Sequence, residues 1–189
     1  MARSAPAAQG VRTAVRTHGH FPEPLPVRPA LDSPIRLEGA TNFRSLNGLV
    51  ARDGRHLRPH RLMRSDRLHG LTPSDWGALR DLEIATICDL RSDLERERHP
   101  NRTPADFGAR EITAAIDNDL RADPQLFTLL ADHPTKAGAD RLMIELYRRF
   151  AVHFAPRLPQ LVEALLGGGP MLLHCTAGKD RTGFAMALI

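Results

Sequence analysis

Cysteine occurs twice in the 189 residues, lysine twice, and tryptophan and tyrosine once each. Two cysteines cannot staple a chain of this length, which excludes a disulfide scaffold. Apolar runs such as Met171–Leu173 are far shorter than the roughly 18 residues a membrane span needs, which excludes integral membrane association through helices. No aromatic-interleaved basic patch and no recognisable nucleic-acid module is present, so no DNA or RNA partner is expected. With 42% apolar and 25% charged residues, the composition fits one globular domain and excludes wholesale disorder and collagen-like repeats.

What is abundant is arginine, 24 of the 26 basic residues, the lysines being Lys136 and Lys179. The bias follows genomic base composition as readily as a need for anion binding. Residues 1–70 carry twelve arginines against five acids, a net +7, whereas residues 71–189 carry fourteen bases against seventeen acids, a net −3. This charge suits an acidic, phosphorylated or membrane-surface partner.

Residues 1–34 contain six of the fifteen prolines and no apolar periodicity, the pattern of a disordered basic tail. They also lack the apolar core of a secretory signal. From Ile35 onward short β-like runs alternate with helical ones, and residues 35–189 read as one domain. Ile35–Leu37, Leu62–Arg64, Glu83–Asp89, Glu111–Ile116 and Met171–His174 are expected strands. Thr72 caps a helix that has Pro73 in its first turn and runs to about Leu82, and Ser92 caps a charged one ending near Pro100. Met143, Leu146, Tyr147, Phe150 and Phe154 share the core face of a third helix. Leu158, Leu161, Val162, Leu165 and Leu166 share that of a fourth, which ends at Gly167–Gly169. Strands interleaved with helices predict an α/β fold: a central, mostly parallel sheet flanked by helices.

The informative segment is Met171–Gly183, MLLHCTAGKDRTG: a buried strand, a loop with Gly178, then Arg181-Thr182-Gly183 opening a helix. A tight loop leading into a helix start aims successive backbone N–H groups into one concavity, where the helix dipole adds positive potential. Cys175 lies at its base, so the groups that bind an oxyanion also stabilise a thiolate. Such surroundings bring thiols from about 8.5 to roughly 3.5–7.5, leaving a nucleophile that needs no separate base. Arg181 offers a planar fork of donors to two phosphate oxygens. Because 24 of 189 positions are arginine, an arginine six residues after a cysteine says little alone. His174, Gly178, Thr182 and Gly183 around the pair make the pattern specific.

With those flanks the segment resembles the loop of the cysteine-dependent phosphatases, HCxxGxxR[ST]G, and specifically the bacterial tyrosine phosphatase family with HCxAGKDRTG. ATNFRSLNG (40–48), LMRSDRLHGLT (62–72) and ICDLRSDLERER (87–98) are similar to further segments of that family, so the resemblance covers roughly 35–189. It implies a phosphomonoester hydrolase acting through a phosphocysteine intermediate on Cys175, without metal or other cofactor. The implied substrates are phosphotyrosine proteins, with phosphoserine, phosphothreonine or phosphoinositides also open. Thr176, Ala177, Gly178, Lys179, Asp180 and Arg181 would bind the phosphoryl group. Thr182 would hydrogen-bond the sulfur, and His174 would support the loop from behind.

Two acids can protonate the leaving group. Asp180 in the loop is favoured; Asp89, ending the D-L-R strand, is the alternative acid or a loop organiser, unless it simply pairs with Arg91. Lys179 is expected to accommodate a second phosphate on an inositol ring. Ser45 and Asn47 stand where the family usually has Asp and Gly, which bears on loop bracing by that segment. The chain stops at Ile189, seven residues after Thr182, where the family's helices continue. Missing C-terminal helices, and with them marginal stability or weak activity, are therefore expected. His56 and His60 have metal-pair spacing but sit around Pro59 in a loop. Cys88 reads as a strand-core thiol with a conceivable protective disulfide to Cys175. Rival readings are a catalytically silent phosphate-binding module and an arsenate-reductase-like thiol enzyme. The cytoplasm is the default location because the sulfur must stay reduced, with signal-less export open; oligomeric state is unspecified.

Overall fold

The computed structural model describes residues 35–116, 128, 131–132 and 134–189; the expected tail, 1–34, lies outside them. Among the described residues five strands form one sheet: β1 (Arg44–Ser45), β2 (Leu62–Ser65), β3 (Thr86–Asp89), β4 (Arg110–Thr113) and β5 (Met171–His174). Their spatial order is β1-β2-β5-β3-β4, with β1 antiparallel and the other four parallel. The helices are α1 (Pro73–Asp81), α2 (Asp93–Arg98), α3 (Lys136–Phe154), α4 (Leu158–Leu166) and α5 (Asp180–Leu188). This is the α/β architecture expected.

Strand alternation divides the core into two layers. Leu62, Cys88, Met171 and Leu173 face a cluster with Phe150 and Phe154 of α3, Leu161 of α4 and Ala185 of α5. Met63, Ile87 and Leu172 face the opposite cluster, which Trp76 and Leu79 of α1 close together with Phe43 and Phe107. Covered on both faces, the parallel strands read as continuous apolar runs. None of the described helices is long and apolar enough to cross a membrane.

Two expectations fail for identifiable reasons. Ile35–Leu37 is not a strand. The backbone amides of Glu38 and Gly39, just beyond it, bond the buried Asp75 carboxylate at 2.8 and 2.9 Å, so the segment is tied to the start of α1 instead of to the sheet. The same carboxylate completes the capping box with Thr72. Met143 and Tyr147 are exposed, because the buried face of α3 is the narrower stripe Leu142, Leu146, Phe150 and Phe154. Val162 and Leu166 of α4 are likewise exposed.

Position matters for chemistry. β5 is central, flanked by β2 and β3 running in the same direction, so the loop after His174 emerges between the loops after Ser65 and Asp89. Crevices at such strand ends are where open α/β sheets hold ligands.

Candidate active site

Cys175 leaves β5 with 2% of its surface exposed. The Gly178 N–H points back to its sulfur at 3.2 Å, and α5 begins two residues later. Gly178 has φ +64°, a left-handed conformation that turns the chain tightly enough for this return. The loop carbonyls point the other way. Thr176 O accepts from Arg67 N at 3.2 Å, Ala177 O from Asn42 Nδ2 at 2.7 Å, Gly178 O from Arg64 Nη2, and Lys179 O from Arg64 Nη2 at 3.0 Å. In a trans peptide the carbonyl and the next N–H are antiparallel. Four outward carbonyls therefore turn the amides of Ala177, Gly178, Lys179 and Asp180 toward the opposite side, the side on which Gly178 meets the sulfur.

Arg181, in the first turn of α5, is 6% exposed. Nη1 and Nη2 each donate to Glu95 at 2.7 Å, end-on and bidentate, and Thr176 Oγ1 donates to the same carboxylate. Nη1 also lies 3.5 Å from Leu90 O and Nη2 3.4 Å from Thr176 Oγ1. No described residue bonds Nε, so the Nε–Nη2 edge is the least committed part of the guanidinium. Burial opposes the charge on both partners. The hydrogen bonds prevail, holding Arg181 protonated and, with Thr176 and the Ser92 amide, keeping Glu95 well below the usual carboxylate range.

Behind the loop, Asp89 is 4% exposed and engaged by Arg91, whose Nε and Nη2 approach its oxygens at 2.9 and 2.7 Å. Arg91 Nη2 also bonds Asn101 Oδ1 at 2.7 Å. Burial raises the Asp89 carboxyl, but the Arg91 bonds outweigh it and keep the group ionised. His174 is fully buried, its Nε2 3.3 Å from Asn101 Nδ2 and 3.5 Å from Asp89 Oδ2. Burial pushes His174 down to about 4 even against the Asp89 charge. At neutral pH the contact is therefore carboxylate to neutral imidazole.

This depressed value has a stability consequence. The unfolded histidine titrates near 6.5, so between about 6.5 and 4 the unfolded state binds a proton that the native state refuses. Stability from this group is complete above the unfolded value and is lost as pH falls toward 4, by about 3 kcal/mol in all. The melting temperature should fall over that window, and His174→Asn should flatten the fall. Identical slopes in the two proteins would show that His174 is not the titrating group.

Asp180, half-buried at the start of α5, accepts a hydrogen bond from the Tyr147 hydroxyl at 3.0 Å, and Lys179 is exposed beside it. Thr182 Oγ1 is buried without a hydrogen-bond partner among the described residues, so its expected bond to the sulfur is not formed here. Ser45 Oγ donates to Asn47 Oδ1 at 2.6 Å, and the His60 amide donates to the same oxygen at 2.8 Å. That pair braces its own loop while Asn42 reaches the loop after β5. Both cysteines are free, and burial pushes the Cys88 thiol far up. No group of three or more metal-ligating side chains occurs among the described residues.

Glu95, Arg64 and Asn42 escaped the sequence reading. Glu95 carried a signal, being three residues after Ser92 in a capping box, but that role fully explains a glutamate there. Arg64 and Asn42 lie in the segments that carried the resemblance, with nothing local to indicate which donor reaches the loop.

The sequence profile described as the tyrosine phosphatase family matches residues 35–189. The chain belongs to this family. Among curated proteins it is 35% identical over 173 residues to the triple specificity protein phosphatase PtpB of Mycobacterium tuberculosis, covering 81% of this chain and 61% of that protein. It is 34% identical over 158 residues, 82% and 56% of the two chains, to a protein of Cupriavidus necator provisionally named a tyrosine-protein phosphatase. A tyrosine-protein phosphatase of Nostoc commune is 28% identical over 129 residues, 67% and 41%. The chain thus spans about half the length of these tyrosine phosphatase relatives.

Proposed function

We propose that this protein hydrolyses phosphate monoesters, phosphotyrosine in proteins first among them, through a phosphocysteine intermediate on Cys175. The observation that carries the reading is the Gly178 N–H on the Cys175 sulfur at 3.2 Å, inside a loop whose carbonyls from Thr176 to Lys179 are turned away. Cys175 Sγ attacks phosphorus and the bond to the leaving oxygen breaks, Asp180 giving that oxygen its proton. Water then attacks the phosphocysteine, the sulfur departs with the bonding pair, and Asp180 takes the water proton. The loop amides and the Nε–Nη2 edge of Arg181 hold the three equatorial oxygens throughout, and Glu95 fixes the guanidinium from its other end. Thr182 would turn its unpartnered hydroxyl toward the sulfur as negative charge returns to it.

Between the two acids the geometry favours Asp180. It stands half-buried at the mouth, whereas Asp89 is sealed, ionised and bound to Arg91; its part is to hold Arg91, Asn101 and His174 behind the loop. Substrate breadth toward phosphoserine, phosphothreonine and phosphoinositides, and a contact of Lys179 with a second phosphate, belong to the same proposal. Profiling turnover on phosphopeptides and phosphoinositides, with Lys179→Ala alongside, tests them.

Turnover of an aryl phosphate, inhibited by vanadate and resistant to chelators, is the expected result. Asp180→Asn should lose about 10²-fold or more on a poor leaving group and little on a good one. Asp89→Asn should slow both equally. Binding of phosphate without turnover would instead favour a silent module. An arsenate reductase would need a second accessible thiol, and Cys88 is fully buried.

A further inference from the structure

We propose that Arg64 and Asn42 are positioning residues that fix the direction of the peptide groups in the 175–180 loop, and thereby set its affinity for a tetrahedral anion. The inference rests on the phosphatase reading for the identity of that anion. A loop peptide can present either its N–H or its carbonyl to the concavity. One reversed peptide replaces an attractive dipole with a repulsive one beside the phosphoryl group. The peptide joining Gly178 to Lys179 is the easiest to reverse, since glycine tolerates both signs of φ. Its carbonyl is one of the two that Arg64 Nη2 holds.

Arg64 has no such duty toward the sheet. On β2 it stands in register between Arg44 of β1 and Leu173 of β5, in a strand whose other three residues are buried. Burial works against its charge, and Arg44 adds repulsion; what favours the charge is the sulfur of Cys175 and the carboxylate of Asp180. An apolar side chain would suit the strand better. The compensation comes from the loop.

Asn42 is oriented by a relay. Arg44 Nη1 donates to Asn42 Oδ1, so the amide nitrogen must face the other way, where it meets Ala177 O at 2.7 Å. The Asn42 backbone is held in turn by Asp66 Oδ1 at 3.2 Å. Thus Ala177 is governed from the segment before β1, and Gly178 and Lys179 from β2.

The test compares Arg64→Met, Arg64→Lys and Asn42→Asp with the parent protein. The readouts are the inhibition constants of inorganic phosphate and vanadate, kcat and KM on an aryl phosphate, and the melting temperature. Arg64→Met should weaken both anions and lower kcat/KM by roughly 10- to 100-fold, on the scale of losing an oxyanion donor. Arg64→Lys should recover part of the loss. Asn42→Asp puts an acceptor opposite Ala177 O and should weaken anion binding about tenfold. Variants that stay folded with parental anion affinity would overturn the proposal, as would losses that merely track melting temperature. Asn42 bonds the loop at the surface, so Asn42→Asp decides the matter if Arg64→Met does not fold. A parent protein that binds phosphate without turning over substrate, while the variants bind it less well, would sink the phosphatase reading and leave the positioning role standing.

Discussion

Cys175→Ser is expected to lower aryl phosphate turnover by at least about 10⁴-fold while phosphate still binds. The substitution is nearly isosteric at a site with 2% exposure, so folding should survive. The loop amides and Arg181, proposed as the source of the anion affinity, are untouched. What disappears is an ionisable nucleophile. A serine would need a base to take its proton, and none is free at this step: His174 Nε2 faces Asn101 and Asp89, and Asp180 must enter it already carrying the proton for the leaving oxygen. Steady-state kinetics and acid-quench mass spectrometry check both halves, a phosphorylated Cys175 peptide appearing only in the parent. If the serine variant kept more than a hundredth of the rate, a covalent route through this sulfur would be wrong.

The second large effect is expected at Gly178→Ala. An added Cβ would lie 2.4 Å from Ser65 O and 2.6 Å from Asp66 N, both backbone atoms, at φ +64°. Neither side can yield cheaply: Ser65 is paired with His174 across β2 and β5, and the next loop carbonyl is held by Arg64. Strain and overpacking together should cost on the order of 3 kcal/mol. The alternative is for the loop to move and kcat/KM to fall by about 10²-fold or more. Urea unfolding and phosphate binding separate the two outcomes. Gly77→Ala in α1 is the control, since its Cβ would meet nothing within 4 Å and alanine favours a helix interior by about 1 kcal/mol. Parental stability and activity in Gly178→Ala would show that the close approach to Ser65 is not real.

Much of this arrangement was legible in the residues. Thr72 and Pro73 announced α1, Ser92 announced α2, and the glycine run ended α4, because each feature acts within one turn of its own backbone. Cys175, Gly178 and Arg181 were legible for the same reason: a strand, a tight loop and a helix start are local. The missed elements are those whose partners are remote. Ile35–Leu37 has strand-like composition, yet the amides that follow it are claimed by a carboxylate 36 or 37 positions away. Tyr147 fits the apolar spacing of α3 but lies at its edge and reaches Asp180, 33 positions on. Glu95, Arg64 and Asn42 act across 86, 114 and 135 positions, and no window of sequence contains both ends.

Helix α2 is six residues long, too short to persist by its own hydrogen bonds, and its opening turn is secured by the carboxylate that clamps Arg181. Arg181 is therefore also a fastener for a helix 86 positions upstream. Whatever draws the guanidinium away from Glu95 loosens the first turn of α2, and fraying at Ser92 slackens the hold on Arg181 in turn.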